Sequence, residues 1–444
     1  MKQIIVTTAF SFAVALSGAA QDKLWTLNDC MRYAVENSPK VKQQIYTNNT
    51  YKAEQQAAIA SFFPSVSTSV NAQYNFGRSI DPETNTYSNT STFNNGYGIG
   101  LSLPLFNGGQ LINQWRLANV NRHMGRNDLQ KQKDDLAVNA MEAFINVVYY
   151  QGTVKMAAEK LEESNRTLYK TRRQQELGLK GKADVAQIEA QVAADDYNFT
   201  RQQNLFNTAV MTLKKNMNYP PERELNVDTV ITSIPYTLQE ESVIDIYNRA
   251  TEINPLALQA DYQYKTSKIT YQIMKGRLLP SISMSANVST NYFENLKSKV
   301  TPPSFQSQFK NNRGENIYFS LSFPLFDGLY KITNVRRARN NMRIAYEKQT
   351  EVLRQLQNDI EQAILDREGY AKETIQMEKK VKADEWAYRV TLRKYEEGLM
   401  SAIDLQTSAN TLLLSKADLL QRKLMYLIKC KLVDYYKGQP LITE

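Results

Sequence analysis

Histidine is almost missing from the chain. His123 is the single one among 444 residues, so imidazole-based triads and multi-histidine metal sites are excluded. Cysteine is nearly as scarce, with Cys30 and Cys430 near opposite ends, which excludes a disulfide-dense scaffold and a cysteine-based metal site. Seventeen glycines and 13 prolines are few for this length and favour long regular elements over a loop-rich architecture. Beyond residue 21 no run of about 18 apolar residues occurs, so no transmembrane helix is readable. Any entry into a membrane must then be by β-structure.

Concentrated charge is missing too. The net charge of +9 comes from 54 basic and 45 acidic residues scattered throughout, as in "KLEESNRTLYKTRRQQE". Such mixing is the mark of solvated helix faces and argues against nucleic-acid binding. "GYGIG" lacks the Lys-Ser/Thr ending of a nucleotide loop, and its glycines share one strand face. The acidic pairs Asp195/Asp196 and Glu396/Glu397 sit on charged helical stretches and read as solvated. No catalytic residue, metal ligand or cofactor site is expected, and the chain is not read as an enzyme.

A hydrophobic content of 42% and a charged content of 22% are globular values. The opening "MKQIIVTTAFSFAVALSGAA" has a basic start, an apolar core and small residues before a cut, and predicts a signal peptide over 1–20. The remainder is written twice. "FFPSVSTSVNAQY" at 62–74 returns as "LLPSISMSANVSTNY" at 278–292, an offset of 216 that also pairs Pro39 with Pro255. "LSLPLFNGG" at 101–109 returns as "LSFPLFDGL" at 321–329, now at an offset of 220. That offset also relates "ELGLKGKADV" to "EEGLMSAIDL", pairing Gly178 with Gly398 and Asp184 with Asp404. Landmarks in the same order with one change of length indicate a tandem duplication.

The first repeat is expected over 21–217, with helices in 27–62, strands at 65–76 and 96–104, and a long helical hairpin over 107–217. A linker over 218–238 follows. The second repeat, over 239–437, has helices in 239–279, strands at 281–292 and 316–324, and a hairpin over 327–437, before a tail at 438–444. The polar stretch 77–95 reads as a loop. Each long helix is free of proline and would measure roughly 105 Å at 1.5 Å per residue. In the second, Leu353, Leu356, Ile360, Ala363, Tyr370, Met377 and Val381 follow a 3/4 spacing interrupted by Arg367 and Thr374, a coiled-coil seam. Asp184 and Asp404 begin the returning helices, where a carboxylate suits an N-cap.

The strands alternate. Val66, Val70, Ala72, Tyr74 and Phe76 oppose Ser65, Ser67, Ser69, Asn71, Gln73 and Asn75. Any half-buried sheet alternates in this way. Here, however, the wet side is small and uncharged, and the strand length of about 8–12 residues suits a tilted bilayer crossing. A lipid-exposed sheet must close, and one chain supplies four strands where single-chain membrane barrels begin at about eight. The barrel is therefore shared: two subunits would make eight strands, and three would make twelve around an open lumen. Pro64, Pro104, Pro280 and Pro324 are placed at strand–helix junctions, where a missing ladder donor matters least.

With "LPLFNGG" and "FPLFDG", "GLKGKADV" and "GLMSAIDL", and "NSPKV" and "INPLA" in order and in duplicate, the chain resembles the TolC-like outer-membrane efflux protein family along essentially its whole length after residue 20. The resemblance implies a mainly α fold with membrane β-structure. It implies a homotrimer, with a twelve-stranded barrel in outer-membrane lipid and an α-barrel of long antiparallel coiled-coil helices reaching into the periplasm. It also implies docking to a periplasmic adaptor and an inner-membrane transporter. Gly178, Leu179, Gly398 and Leu399 match the adaptor-binding tip, and Asp184, Asp404 and Tyr395 match a periplasmic gate. The pattern departs at Met400, where a gating arginine is expected, and at Thr407, where a second carboxylate is expected. The function so implied is passive exit of small molecules. The rivals are a type I protein-secretion duct and, in another class, a periplasmic coiled-coil scaffold.

Overall fold

The computed structural model describes residues 24–80, 85–229, 236, 241–298 and 301–442; the expected signal segment lies outside them. In chain order the elements of the first half are α1 (Leu27–Glu36), α2 (Pro39–Ala60), β1 (Ser65–Ile80), β2 (Tyr87–Asn107), α3 (Gln110–Glu176) and α4 (Lys182–Met217). The second half holds α5 (Val243–Ile253), α6 (Pro255–Gly276), β3 (Ser281–Asn295), α7 (Phe305–Asn311), β4 (Gly314–Ser322), α8 (Tyr330–Glu396) and α9 (Ala402–Tyr436). Among the described residues no helix is long and apolar enough to cross a membrane. The chain divides into two compact units, one of 1–41, 133–243 and 360–444 and the other of 42–132 and 244–359.

In the first unit, α1 starts on a capping box: Thr26 Oγ1 accepts from the Asp29 N–H, and the Asp29 carboxylate accepts from the Thr26 N–H. Its buried side, Cys30, Met31 and Ala34, meets Met141, Phe144 and Val148 of α3, Leu213 and Met217 of α4, and Leu424 and Ile428 of α9. Cys30 and Cys430 are not joined by a disulfide. The described part of the 218–238 segment is tied to the start of the chain. Val227 makes a short parallel bridge with Trp25, whose ring packs edge-on against Tyr33 and Tyr219.

The seam of α8 is continuous in this unit. Ile360, Ala363 and Ala371 are buried, and so are the two apparent interruptions, Arg367 and Thr374. Thr374 donates its hydroxyl back to the Tyr370 carbonyl at 2.7 Å. The Arg367 guanidinium lies 3.1 Å from Glu241, which Lys437 also meets, so the buried charge is paired. Burial works against ionising Glu241, but the hydrogen bonds from Lys437 and Arg367 outweigh it and hold the carboxyl below its ordinary value. A lowered pKa contributes stability that is present above the unfolded value and lost as pH falls through the folded one. The melting temperature is therefore expected to fall on acidification below the ordinary glutamate range, and Glu241→Gln to flatten that dependence, in thermal scans across pH 3–6.

The second unit contains one four-stranded antiparallel sheet in the order β1-β2-β3-β4. Register places Val70 opposite Tyr97, Ile99 opposite Val288, and Ala286 opposite Ile317. One face is consequently apolar across all four strands, and much of it is exposed: Val66, Val70, Tyr74, Phe76, Ile99, Ile317, Phe319 and Leu321. The opposite face is built of Ser67, Ser69, Asn71, Gly98, Gly100, Ser285, Asn287 and Ser320. Helices α2, α3, α6 and α8 are tied by polar side chains, among them Gln55 to Asn119, Gln259 to Asp128 and Gln349 to Asp261.

Several boundaries differ from the sequence reading. The stretch read as a loop is largely strand, because β1 continues to Ile80 and β2 begins at Tyr87. Its Asn, Ser and Thr keep the period of two, and Tyr74 and Phe93 meet across the hairpin at 4.6 Å. Polar composition reports on solvent, not on backbone conformation. Pro104 lies within β2 rather than at its end; the register slips between Pro104 and Phe106, a bulge that accommodates the missing N–H. Pro64 and Pro280 do directly precede strands, and Pro324 follows β4. Helix α7 was not expected. Its Phe305 and Phe309 pack on Tyr97 of the apolar sheet face.

The junction from β2 to α3 depends on glycine. Gly108 has φ +65°, and a Cβ there would stand 2.0 Å from the Gly276 carbonyl oxygen at the end of α6. Backbone approaches backbone here, and no side chain fits.

Candidate functional site at the hairpin tips

The turns joining α3 to α4 and α8 to α9 are built alike. Gly178 and Gly398 both have φ +77° and accept the left-handed conformation that ends a helix. The Leu179 N–H bonds the Gln174 carbonyl and the Gly178 N–H bonds the Gln175 carbonyl; Leu399 and Gly398 repeat this onto Lys394 and Tyr395. These are Schellman ends, and they leave Leu177, Leu179 and Leu399 more than 70% exposed at the tips.

Asp184 and Asp404 are not the N-caps themselves but stand three residues further on, in the first turns of α4 and α9. The N-cap of α9 is Ser401, whose Oγ accepts from the Asp404 N–H at 3.2 Å and donates to its carboxylate at 2.7 Å. The Ser401 N–H adds a bond of 3.1 Å to the same oxygen. These bonds, the serine hydroxyl's first and its amide's second, hold the Asp404 carboxyl below the ordinary aspartate value. At α4 the N-cap is Gly181, so only half of the box forms: the Asp184 carboxylate accepts from the Gly181 N–H at 2.9 Å.

Tyr395 is 2% exposed, and its hydroxyl lies 3.0 Å from Thr171 Oγ1. Thr171 already donates to the Thr167 carbonyl at 2.9 Å, so the tyrosine is the donor in the pair. Burial pushes the Tyr395 phenol up, the Thr171 bond lowers it and the charge of Asp184 raises it. Lys180 lies 4.6 Å from the ring centroid on the α3–α4 turn. The charge of Asp184 thus reaches Tyr395, while Asp184 and Asp404 both direct their carboxylates to their own helix starts.

Met400, at the position where an arginine was expected, packs with Leu168, Leu392 and Leu412 against Ile188, Tyr388, Tyr395, Ala402 and Leu405. The two hairpins are joined at this level by an apolar cluster with one hydroxyl pair, flanked by the exposed Lys170–Glu396 ion pair at 2.6 Å. Tyr395→Phe is expected to cost about 1 kcal/mol, the net worth of a typical hydrogen bond. In a double-mutant cycle with Thr171→Val followed by chemical denaturation, most of that cost should appear as coupling.

Sequence reasoning misplaced Asp195. It is 4% exposed, not solvated, because Ile188, Gln191 and Asp195 share the buried side of α4. Lys160 of α3 lies 3.1 Å from it and also bonds Asn410 of α9. Ser164 and Gln191 donate to its two oxygens. On α8, burial and then a hydrogen bond with Glu163 hold the Tyr388 phenol far above its ordinary value. A polar layer therefore crosses all four helices above the apolar cluster. The signal available beforehand was helical spacing, which outweighs residue type in deciding what faces inward. Asp196 and Glu397, by contrast, are exposed. Among the described residues no group of three or more His, Cys, Asp or Glu is placed to hold a metal.

The sequence model of the family described as "Outer membrane efflux protein" matches residues 31–218 and 246–430. The chain is 23% identical over 330 residues to the outer membrane protein TolC of Escherichia coli, which covers 71% of this chain and 64% of TolC. The match thus spans just under two thirds of that relative's length. Among solved structures, the outer membrane protein VceC of Vibrio cholerae superposes with a TM-score of 0.79 at 15% identity, covering 94% of this chain and 96% of VceC. The Campylobacter jejuni CmeC outer membrane channel gives 0.78 at 16% identity, covering 94% and 86%.

Proposed function

Since the chain belongs to the outer membrane efflux protein family, we propose that it is the outer-membrane exit duct of a tripartite efflux system. In this reading it passively carries small molecules across the periplasm and outer membrane. The observation that carries the proposal is the sheet: one face apolar and exposed on all four strands, the other uncharged and mostly small and polar, with Tyr318 and Phe293 as its large residues. The apolar face meets lipid and the other meets a water-filled lumen. Four strands cannot close, so the barrel is shared between chains, and the family reading makes it twelve strands from three chains.

The two halves are copies of one unit. Their long helices, α3 and α8, are both 67 residues, and their hairpin tips share one hydrogen-bond pattern. The helical hairpins line the periplasmic passage, and the exposed Leu177, Leu179 and Leu399 at the tips are where an adaptor docks. Tyr395, Asp184 and Asp404 lie at its constriction. Transport energy comes from an inner-membrane transporter, since no nucleotide loop is present.

Asp404 from three chains forms an anionic ring, and the Ser401 hydrogen bonds favour its ionised form. Asp404→Asn is expected to weaken cation preference and divalent block in planar bilayers; unchanged conductance and block would contradict the ring. Alkaline extraction tests the larger proposal. A barrel stays in the outer membrane, whereas release into the wash would favour a periplasmic scaffold.

A further inference from the structure

Basic residues that look scattered along the sequence gather at one level of the fold. The stretches of α3, α6 and α8 next to the sheet, 110–127, 262–277 and 330–346, hold twelve lysines and arginines and no aspartate or glutamate, in a chain with 54 basic and 45 acidic residues. The corresponding end of α2 adds one of each, Lys52 and Glu54. We propose that this collar binds the anionic phosphate headgroups of the membrane leaflet at the helix end of the sheet, with Arg336, Arg339 and Arg343 of α8 as its principal contacts. The inference rests on the reading of the apolar sheet face as a lipid-facing surface.

The apolar face does not stop with the strands. Ile282 pairs with Phe106 on one side and Leu321 on the other, so the last row of the sheet is apolar. Each of the four strand–helix junctions then keeps a large apolar side chain exposed: Phe63, Phe106, Leu279 and Phe326. Inside the first turn of α8, Ile332 is exposed as well. Arg336, Arg339 and Arg343 follow it at four, seven and eleven residues, on one face of the helix, and all three are exposed. That stripe is about 17 Å long at 1.5 Å per residue. Moving away from the sheet, apolar groups give way to cations. This is the order in which hydrocarbon gives way to headgroups and water, and long basic side chains are favoured at that boundary.

The first half shows that this face stays open when a helix has neighbours on both flanks. The repeat offset of 220 carries Ile332, Arg336 and Arg343 back to Ile112, Arg116 and His123 of α3. There α2 is held through Gln55 on Asn119, and α6 through Thr266 on Asn121 and Gln259 on Asp128. With both flanks taken, Ile112, Arg116 and His123 remain exposed. The arginines of α8 are therefore set for a partner other than a neighbouring helix. No carboxylate lies on the chain between Asp327 and Glu347 to neutralise them. A phosphate group suits them, because the guanidinium fork takes two of its oxygens at once, and an anionic leaflet draws basic residues to its surface.

Lipid selectivity of the full-length chain tests the collar. The chain is reconstituted in phosphatidylcholine bilayers, with spin-labelled phosphatidylglycerol or spin-labelled phosphatidylcholine as the probe, and the restrained fraction is read by electron spin resonance. The parent is expected to prefer phosphatidylglycerol about threefold, and to lose the preference at high salt. Arg336→Gln, Arg339→Gln and Arg343→Gln together should remove most of it. Lysine at the same three positions should restore it, and Lys382→Gln, far along α8, should leave it unchanged. Equal restraint of the two lipids by the parent overturns the proposal. So does a triple glutamine variant that keeps the preference while its reversal potential in planar bilayers shifts, which would put the arginines along the passage. A chain that restrains neither lipid overturns the lipid-facing sheet itself, a separate result.

Discussion

Replacing Lys160 by methionine is expected to destabilise the hairpin unit by about 3–5 kcal/mol, the cost of leaving a buried charge without its partner. Lys160 and Asp195 are 10% and 5% exposed and 3.1 Å apart, so solvent does little to screen the loss. Ser164 and Gln191 would remain bonded to the Asp195 carboxylate but bring no charge. Pairing Lys160→Met with Asp195→Leu removes both charges, and the double variant should recover to within about 1 kcal/mol of the parent. Denaturant unfolding followed by circular dichroism measures both. A single variant as stable as the parent would mean that Asp195 is hydrated in solution.

The second large effect concerns the sheet. Ile99→Arg puts a charge on the apolar face of the central strand β2, at a penalty of about 2–4 kcal/mol for a midplane position in a bilayer. Ser285→Arg, on the opposite face of β3, puts the same charge into water. The first variant should be depleted from alkali-washed outer membranes and the second retained near the parent level. Normal accumulation of Ile99→Arg would show that this face does not meet lipid.

Much of this was readable because period and punctuation are local. The alternation from Ser65 to Phe76 marked a strand, and the proline-free stretch after Asn107 and the 3/4 pattern from Leu353 to Val381 marked the long helices. Gly178 and Gly398 marked the turns, since the chain there must take φ +77°. What escaped depended on the partner. Segment 87–95 is a strand because β1 lies beside it, not because of its composition. Asp195 is buried because Lys160, 35 positions earlier, reaches it from another helix. Met400 departs from the family pattern, and the structure gives it an apolar cluster to fill. Asp184 and Asp404 were recognised as helix-start residues, but the difference between N-cap and third helical position needed the hydrogen bonds.

The claim on which everything else stands is that the four strands of one chain are a third of a closed barrel. A density map of the assembly extracted in mild detergent, resolving individual strands, tests it most directly. The account predicts twelve strands from three chains, with Val70, Ile99 and Phe319 facing outward and Asn71, Gly98 and Ser320 lining the lumen. An eight-stranded ring from two chains, or a sheet whose apolar face turns inward onto a soluble core, would contradict it.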